Sequence, residues 1–247
     1  MSEHFKPPDH TPPDTFVHKL LFYARLSTDF QVNTVYRNVR GFLPHASGTI
    51  VDVGAGESPY KHLVNENNAA YCALDIYNAQ DFGYANQEVL HFDGEHIPFE
   101  TGSVDCFVCT EVIEHVEQPQ TLVLEIYRVL KTGGKGLVTV PWSARYHYIP
   151  HDYHRFTPTA LRRLFSSFSS VAIEPRGTDI TVIVSKLIVA YMRLFFPVKR
   201  LALFFTIPIA ILIAPFIAGC VVVGHASLLL SLGSADDPLG YTIWVVK

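Results

Sequence analysis

Thr49-Ile50-Val51-Asp52-Val53-Gly54-Ala55-Gly56-Glu57-Ser58-Pro59-Tyr60 is the stretch on which the fold of this chain turns. An apolar run of strand length ends in a turn where Gly54 and Gly56 let the backbone approach a ligand closely and take conformations closed to other residues. A dinucleotide fingerprint would place a third glycine at position 59. Pro59 stands there, which disfavours a pyrophosphate resting on a helix start. Nineteen residues past Gly56, Asp75 ends a second apolar run, Tyr71-Cys72-Ala73-Leu74-Asp75. A carboxylate at that point can accept hydrogen bonds from both hydroxyls of a ribose.

Outward from this turn, strand and helix signals alternate. Thr49–Val53, Ala70–Ile76, Glu88–Phe92, Ser103–Cys109 and Lys135–Val140 read as strands. Gln118–Leu130 reads as a helix stopped by the basic, glycine-rich Lys131-Thr132-Gly133-Gly134. Such alternation predicts a parallel sheet covered on both faces. Upstream, apolar residues at helical spacing predict helices over Thr15–Leu26 and Phe30–Leu43, the second stopped by Pro44. Met1–Asp14 carries four prolines and no apolar core of a signal peptide, and reads as a flexible leader. Cys72, Cys106, Cys109 and Cys220 are too scattered for a disulfide framework, which fits a reducing compartment. Cys106 and Cys109 lie on a predicted strand, where residues three apart face opposite ways. They read as buried thiols, and no metal ligands are assigned.

A series of motifs then follows in order: Val51-Asp52-Val53-Gly54-Ala55-Gly56; Asp75; Phe92-Asp93-Gly94 with Ile97-Pro98-Phe99 and Ser103-Val104-Asp105; Glu111-Val112-Ile113-Glu114-His115-Val116; and Arg128-Val129-Leu130-Lys131-Thr132-Gly133-Gly134. Over roughly residues 45–142 this series resembles the class I S-adenosylmethionine (SAM)-dependent methyltransferases, of the type 11-like kind. The resemblance implies a doubly wound, Rossmann-like α/β fold: a seven-stranded sheet with an antiparallel last strand, Ser170–Arg176 as the sixth strand and Tyr241–Val246 as the seventh. It also implies a cofactor, SAM. Gly54 and Gly56, with Ala55 between them, would pass under its methionine part, Asp52 would order the turn or reach the amino group through water, Asp75 would bind the ribose, Ile76 pack on adenine, Asp93 with Gly94 sit at the adenine amino group, and Thr110 with Glu111 line the methionine and sulfonium end. Ser58 departs from the third glycine of many members. Four acids around a sulfonium and an ammonium have the favourable sign.

On the acceptor side, His115 follows the fourth strand, where the family often has a histidine close to the methyl group; bracing the next helix is the competing role. A second cluster is Tyr146-His147-Tyr148-Ile149-Pro150-His151-Asp152-Tyr153-His154-Arg155-Phe156-Thr157, just beyond the fifth strand, where open α/β sheets bind ligands. It resembles a His-Asp-Tyr-x-Arg-Phe-Thr segment of methyltransferases in surface-glycan and lipid pathways. His115 and His151 are the catalytic candidates, and His151, Asp152, Tyr153 and Arg155 the substrate-binding ones. Thr157-Pro158 also reads as a helix start.

Composition supplies a second theme. The chain has 247 residues, a formal net charge of −4 and 49% hydrophobic residues, with a mean hydropathy of +0.20, high for a soluble protein. No basic tract suggests phosphate neutralisation, so nucleic acid is not an expected partner. Leu201–Ala235 holds no Asp, Glu, Lys or Arg, more than the roughly 20 residues a helix needs to cross a bilayer. Just before it, Asp179, Lys186, Arg193 and Arg200 recur every seven residues on one stripe, the pattern of a helix lying in a membrane interface. A buried helix pair is the alternative. Pro208, Pro215, Gly219 and Gly224 favour a bent or re-entrant hairpin over one straight span.

The expected organisation is a leader at 1–14, N-terminal helices at 15–44, a SAM domain at 45–178 closed by 239–247, and a hydrophobic helical insertion at 179–238 between strands six and seven. The expected function is methyl transfer to an apolar or lipid-linked acceptor (a polyprenyl-linked glycan, glycolipid or quinone) at the cytosolic face of a membrane. The alternatives are a catalytically silent membrane scaffold, and a soluble small-molecule methyltransferase in the cytoplasm whose insertion serves the core or an oligomer. A nicotinamide oxidoreductase would need the missing glycine.

Overall fold

A computed structural model describes residues 12–77, 84 and 86–247. Most of the leader expected at 1–14 therefore lies outside the described residues. Helices α1 (Phe16–Thr28) and α2 (Phe30–Phe42) come first, each opened by a side-chain cap: Thr15 Oγ1 accepts from His18 N, and Asp29 Oδ1 accepts from Val32 N. Strands β1 (Gly48–Val53), β2 (Ala69–Ile76), β3 (Val89–Phe92), β4 (Val104–Thr110) and β5 (Leu130–Pro141) follow, with α3 (Pro119–Val129) before β5. Then come α4 (Pro158–Leu164), β6 (Ser170–Arg176), α5 (Asp179–Arg193), α6 (Leu203–Leu230) and β7 (Gly240–Val246).

The sheet order is β3-β2-β1-β4-β5-β7-β6, with β1 to β5 parallel and β7 antiparallel between β5 and β6. This is the expected seven-stranded doubly wound sheet. Alternation along the strands divides the core. Ile50, Val108 and Leu137 face α1 and α2, while their neighbours Val51, Phe107 and Val138 face α3 and α4.

Two expectations need correction. The helix read as Gln118–Leu130 with a glycine stop ends at Val129. Leu130 has turned extended (φ −70°, ψ 138°) and pairs with Val104 as the first residue of β5. The register resumes at Cys106↔Lys135, so Lys131–Gly134 bulge from the strand instead of capping the helix. Leu130 is fully buried, and that pull into the sheet overrides the local stop signal.

The second correction concerns the insertion. Pro208 and Pro215 do not break α6, which runs through both as one 28-residue helix. Each proline removes a single N–H, and a helix apolar on all faces has no competing conformation that would satisfy the rest. The insertion leaves and re-enters at one place: Asp179 N donates to Ser234 O (3.0 Å) and Ser234 N donates to Asp179 Oδ1 (2.9 Å). Phe30, Val182, Val184 and Leu239 form a separate small core at its base, where Gly224 admits the Phe30 ring; a Cβ there would sit 2.4 Å from Cζ. Above that base, Ala210, Ile217 and Gly224 are the buried stripe of α6, seven residues apart. The other faces are bare: Phe204, Ile211, Leu212 and Phe216 are 64–80% exposed.

Candidate active site at the carboxyl ends of the strands

The carboxyl ends of β1, β2 and β4 converge on the Gly54–Gly56 turn. Gly54 (φ +72°) has no alternative, because a Cβ there would lie 2.4 Å from Val112 Cγ2 as well as straining the backbone. Gly56 (φ +51°) lies under the Tyr84 ring, at 3.1 Å from a built Cβ. The turn is bolted to β2 by Gly54 N and Ala55 N, which donate to Leu74 O, and by Gly56 N, which donates to Asp75 Oδ2 at 2.8 Å. Asn86 Nδ2 donates to Gly56 O and Ser58 Oγ, so Ser58, itself at φ +51°, takes part in the turn where a glycine was expected.

Asp52 is buried at the end of β1 and accepts from Tyr71 Oη at 2.5 Å. Burial drives its carboxyl up to about 7; the Tyr71 hydroxyl works against this, and the neighbouring Asp75 charge adds to it. Asp75 is also raised by burial, opposed by the amides of Gly56 and Ile76. Two buried acids that repel one another suit a cationic ligand and would resist a phosphate. Ile76 and Gly94 (φ +88°) form a narrow slot; a Cβ at Gly94 would meet Ile76 Cγ2 at 3.5 Å. Asp93 is exposed and accepts from Glu95 N (2.8 Å), His96 N (2.6 Å) and His96 Nδ1 (3.0 Å). Those hydrogen bonds, His96 N first, hold it at about 2. Asp93 thus organises the loop that carries Gly94.

Thr110 ends β4 opposite Thr139 of β5, and Glu111 follows at φ +55°. The Glu111 carboxylate is not a free counter-charge, because Arg176 Nη2 donates to Oε1 at 2.6 Å. Sequence reasoning passed over Arg176. It is 2% exposed and also donates to Val140 O (3.0 Å), Thr34 Oγ1 (3.1 Å) and Gln31 O (3.3 Å), tying β6, β5 and α2 together. Gly240 makes room for it, since a Cβ there would lie 2.4 Å from Arg176 Nη2. A buried guanidinium needs this many acceptors.

The acceptor side is built from the turn after β4 and the segment after β5. His115 Nδ1 lies 2.5 Å from His151 O, and a carbonyl only accepts, so Nδ1 carries the proton and Nε2 the lone pair. Burial lowers His115 to about 4, which keeps it neutral. His151 therefore acts on His115 through its carbonyl; its ring faces Tyr153, with Nδ1 3.1 Å from the hydroxyl. Asp152 and Arg155, expected to touch substrate, are committed to each other. The fully buried Asp152 side chain accepts from Arg155 Nη1 (2.6 Å) and Nη2 (2.8 Å), and from His147 N (3.0 Å). Arg155 also donates to His154 O and Arg145 O. This clamp shapes the 145–155 segment, and of the four substrate candidates Tyr153 (43% exposed) presents its side chain to solvent. Glu114, His147, Tyr84 and Tyr148 were not singled out in the sequence. Tyr84 Oη and Tyr148 Oη meet at 3.0 Å across the mouth between the glycine turn and this segment, a pairing no sequence signal announces.

Residues 51–138 match the model of a family described as a methyltransferase domain. Among curated proteins, the chloroplastic 2-methyl-6-phytyl-1,4-hydroquinone methyltransferase of Arabidopsis thaliana is 29% identical over 117 residues, covering 42% of this chain and 35% of that protein. An uncharacterized methyltransferase of Mycolicibacterium gilvum is 26% identical over 139 residues, covering 53% of this chain and 52% of the other. The chain thus matches about half or less of these relatives' length. A SAM-dependent methyltransferase structure from Archaeoglobus fulgidus superposes with a TM-score of 0.54 at 16% identity, over 93% of this chain and 99% of that one. Phosphoethanolamine N-methyltransferase 2 of Haemonchus contortus, with S-adenosyl-L-methionine, gives 0.51 at 17% identity, over 88% and 52%. At such identities the likeness is one of fold.

Proposed function

The chain carries a class I SAM-dependent methyltransferase domain, with SAM as its cofactor, and from this we propose that it methylates an apolar or lipid-linked acceptor at the cytosolic face of a membrane. The residues fit the cofactor. Gly54 and Gly56 leave a cradle that a Cβ would fill, Asp52 and Asp75 are raised acids that a cation would relieve, and Gly94 lies beside Ile76 with no side chain of its own. Asp75, Ile76, Gly94, Thr110 and the Gly54–Gly56 backbone would hold it; bound there, SAM supplies a methyl group on a positively charged sulfur.

What remains for the protein is to align the acceptor and exclude water. Tyr84 and Tyr148 close one side of the mouth, and His115 Nδ1 donates to the His151 carbonyl, which fixes the acceptor segment against the turn after β4. As neutral as burial makes it, His115 is a weak proton acceptor, so a positioning role suits it better than that of a general base.

The membrane reading rests on one observation above all: the exposed apolar surface of α6 rises from the same end of the sheet as the acceptor segment. β6 runs parallel to β5, so α5 leaves the sheet at its carboxyl end. At the base of the insertion, Asp237 Oδ1 accepts from Trp142 Nε1 (3.2 Å) and Ser143 Oγ (3.0 Å), just beyond β5. Arg200–Leu230 is long and apolar enough to cross a membrane by length and composition, with 11% of its most apolar window buried in the protein. α1 adds Phe16, Val17, Leu20 and Leu21, each 59–83% exposed. Since the Asp179–Ser234 pair brings both ends of the insertion to one point, α5 and α6 would enter and return as a hairpin, which keeps Lys199 and Arg200 near headgroups if it lies shallow. The hydroquinone methyltransferase relative bears the name of an apolar phytyl acceptor, which agrees. Incubation with methyl-labelled SAM and a membrane extract tests the proposal: label should enter the organic-solvent-soluble fraction, and label confined to water-soluble products would overturn the lipid acceptor.

A further inference from the structure

Under the 145–155 segment lies a cluster of which the methyl-transfer reading uses only His115. Glu114, in the turn after β4, is 0% exposed, and neither of its carboxylate oxygens receives a hydrogen bond from another residue. His115 Nε2, beside it, is likewise buried without a hydrogen-bond partner. The two atoms are 3.6 Å apart, too far to share a proton. His147 completes the group; one ligand atom from each of Glu114, His115 and His147 falls within 4.8 Å of the others.

The orientation of both rings follows from their other nitrogen. His115 Nδ1 is spent on the His151 carbonyl. His147 Nδ1 faces Arg145 O (2.9 Å) and Asp152 Oδ2 (3.1 Å), both acceptors, so it too carries the proton. Each Nε2 is then a lone pair. The two rings meet edge to face with centroids 4.8 Å apart. Lone-pair donors thus converge on a buried carboxylate with no N–H or O–H supplied by a neighbour. Each histidine is oriented through its far nitrogen by a carbonyl or a carboxylate, the support that metal-bound imidazoles receive.

We infer that Glu114, His115 Nε2 and His147 Nε2 bind a divalent transition-metal ion of the zinc class. Two imidazoles and one carboxylate are a donor set suited to such an ion. Ligands about 2.0–2.1 Å from a tetrahedral centre stand about 3.4 Å apart, close to the Glu114–His115 separation. The donor atoms of Glu114 and His115 are shut off from solvent, so an ion there would be held in a dry, low-dielectric site. Asp152 and Arg155 gain a purpose here: their clamp holds the carboxylate that orients His147.

The test uses the full chain, stripped with a chelator and titrated with Zn2+ against a colorimetric competitor, with Co2+ absorption as the spectroscopic signature. One equivalent should bind, with Kd at least 100-fold weaker in Glu114→Gln and in His147→Asn and unchanged in His18→Asn, whose histidine lies on exposed α1. His147→Asn alters a loop residue and guards against misfolding of the buried Glu114 variant, with circular dichroism as the check. Absence of stoichiometric binding in the unsubstituted protein, or binding that both folded variants retain, would overturn the inference. The readout is metal binding, so it is independent of whether the acceptor is a lipid.

Discussion

At the carboxyl ends of β1, β2 and β4, polar groups are buried and, the Glu114–His115 pair apart, committed to partners: Asp52 to Tyr71, Asp75 to Gly56 and Ile76, Glu111 to Arg176. In α6 the reverse holds. Large apolar side chains stand in the open, and the buried residues are few: Ala210, Ile217, Gly224 and Ser227. The first region is specified by hydrogen bonds whose partners come from distant sequence, the second by composition alone. The difference teaches that one domain can hold two environments provided the join is narrow, here a base where Asp179 pairs with Ser234, Asp237 accepts from Trp142 and Ser143, and Phe30 packs on Gly224.

The sharpest way to break the contrast is to make α6 polar. Ile211→Asp, Leu212→Asp and Phe216→Asp together, all on exposed faces, should abolish flotation with liposomes, since each charge in a bilayer costs about 2.5–3.5 kcal/mol. SAM affinity should stay within about threefold, because no hydrogen bond of the glycine turn is touched. Persisting flotation would remove α6 as the anchor. In the opposite region, Gly54→Ala adds a contact with Val112 and a strained φ. With each effect about 1–3 kcal/mol, SAM binding measured by calorimetry should weaken on the order of 100-fold while flotation is unchanged.

Smaller effects sharpen the comparison from within the cofactor half. Arg176→Met leaves Glu111 and several carbonyls without their donor. A loss of about 2–3 kcal/mol in denaturant unfolding is expected, below a fully buried pair because Glu111 is 29% exposed.

Asp52 gives a pH signature. Its folded value of about 7 lies above its unfolded one of about 3.9, so between these the folded state holds more protons and stability falls as pH rises. The slope approaches 1.4 kcal/mol per pH unit at most, the cost being complete above about pH 7. Asp52→Asn should flatten the melting temperature between pH 5 and 8. A cationic cofactor lowers the Asp52 value, so SAM should bind the unsubstituted protein with proton release near neutral pH; calorimetry in buffers of different ionisation enthalpy reads this directly. An unchanged slope in the variant would remove Asp52 as the source.

Much of this was legible in the residues. The β1 run, the glycine turn and Asp75 follow from local spacing, and β6 and β7 fall at or within one residue of the expected bounds. The insertion was visible because thirty-five residues without Asp, Glu, Lys or Arg need no partner to be recognised. What escaped is what long-range packing decides. Arg176 lies far in sequence from Thr34 and Val140, Leu130 is drawn into the sheet by burial, and nothing local announces that Asp152 would be spent on Arg155. The prolines of α6 misled for a related reason. Helix-breaking rules assume a chain with alternatives, and an apolar segment beside a stable base has few.

The place of β7 in the sheet has a consequence for the order in which the molecule can assemble. β7 is the middle strand of β5-β7-β6, and it is made after α5 and α6. Until residues 240–246 leave the ribosome, β5 and β6 have no common partner and their facing edges stay open, a pairing hazard. The long apolar helix therefore emerges while the domain that carries it is unfinished, with no completed sheet beside it. If it seeks a bilayer at that moment, closure of the sheet follows membrane engagement, and the nascent chain is held at the surface before its cofactor site is complete.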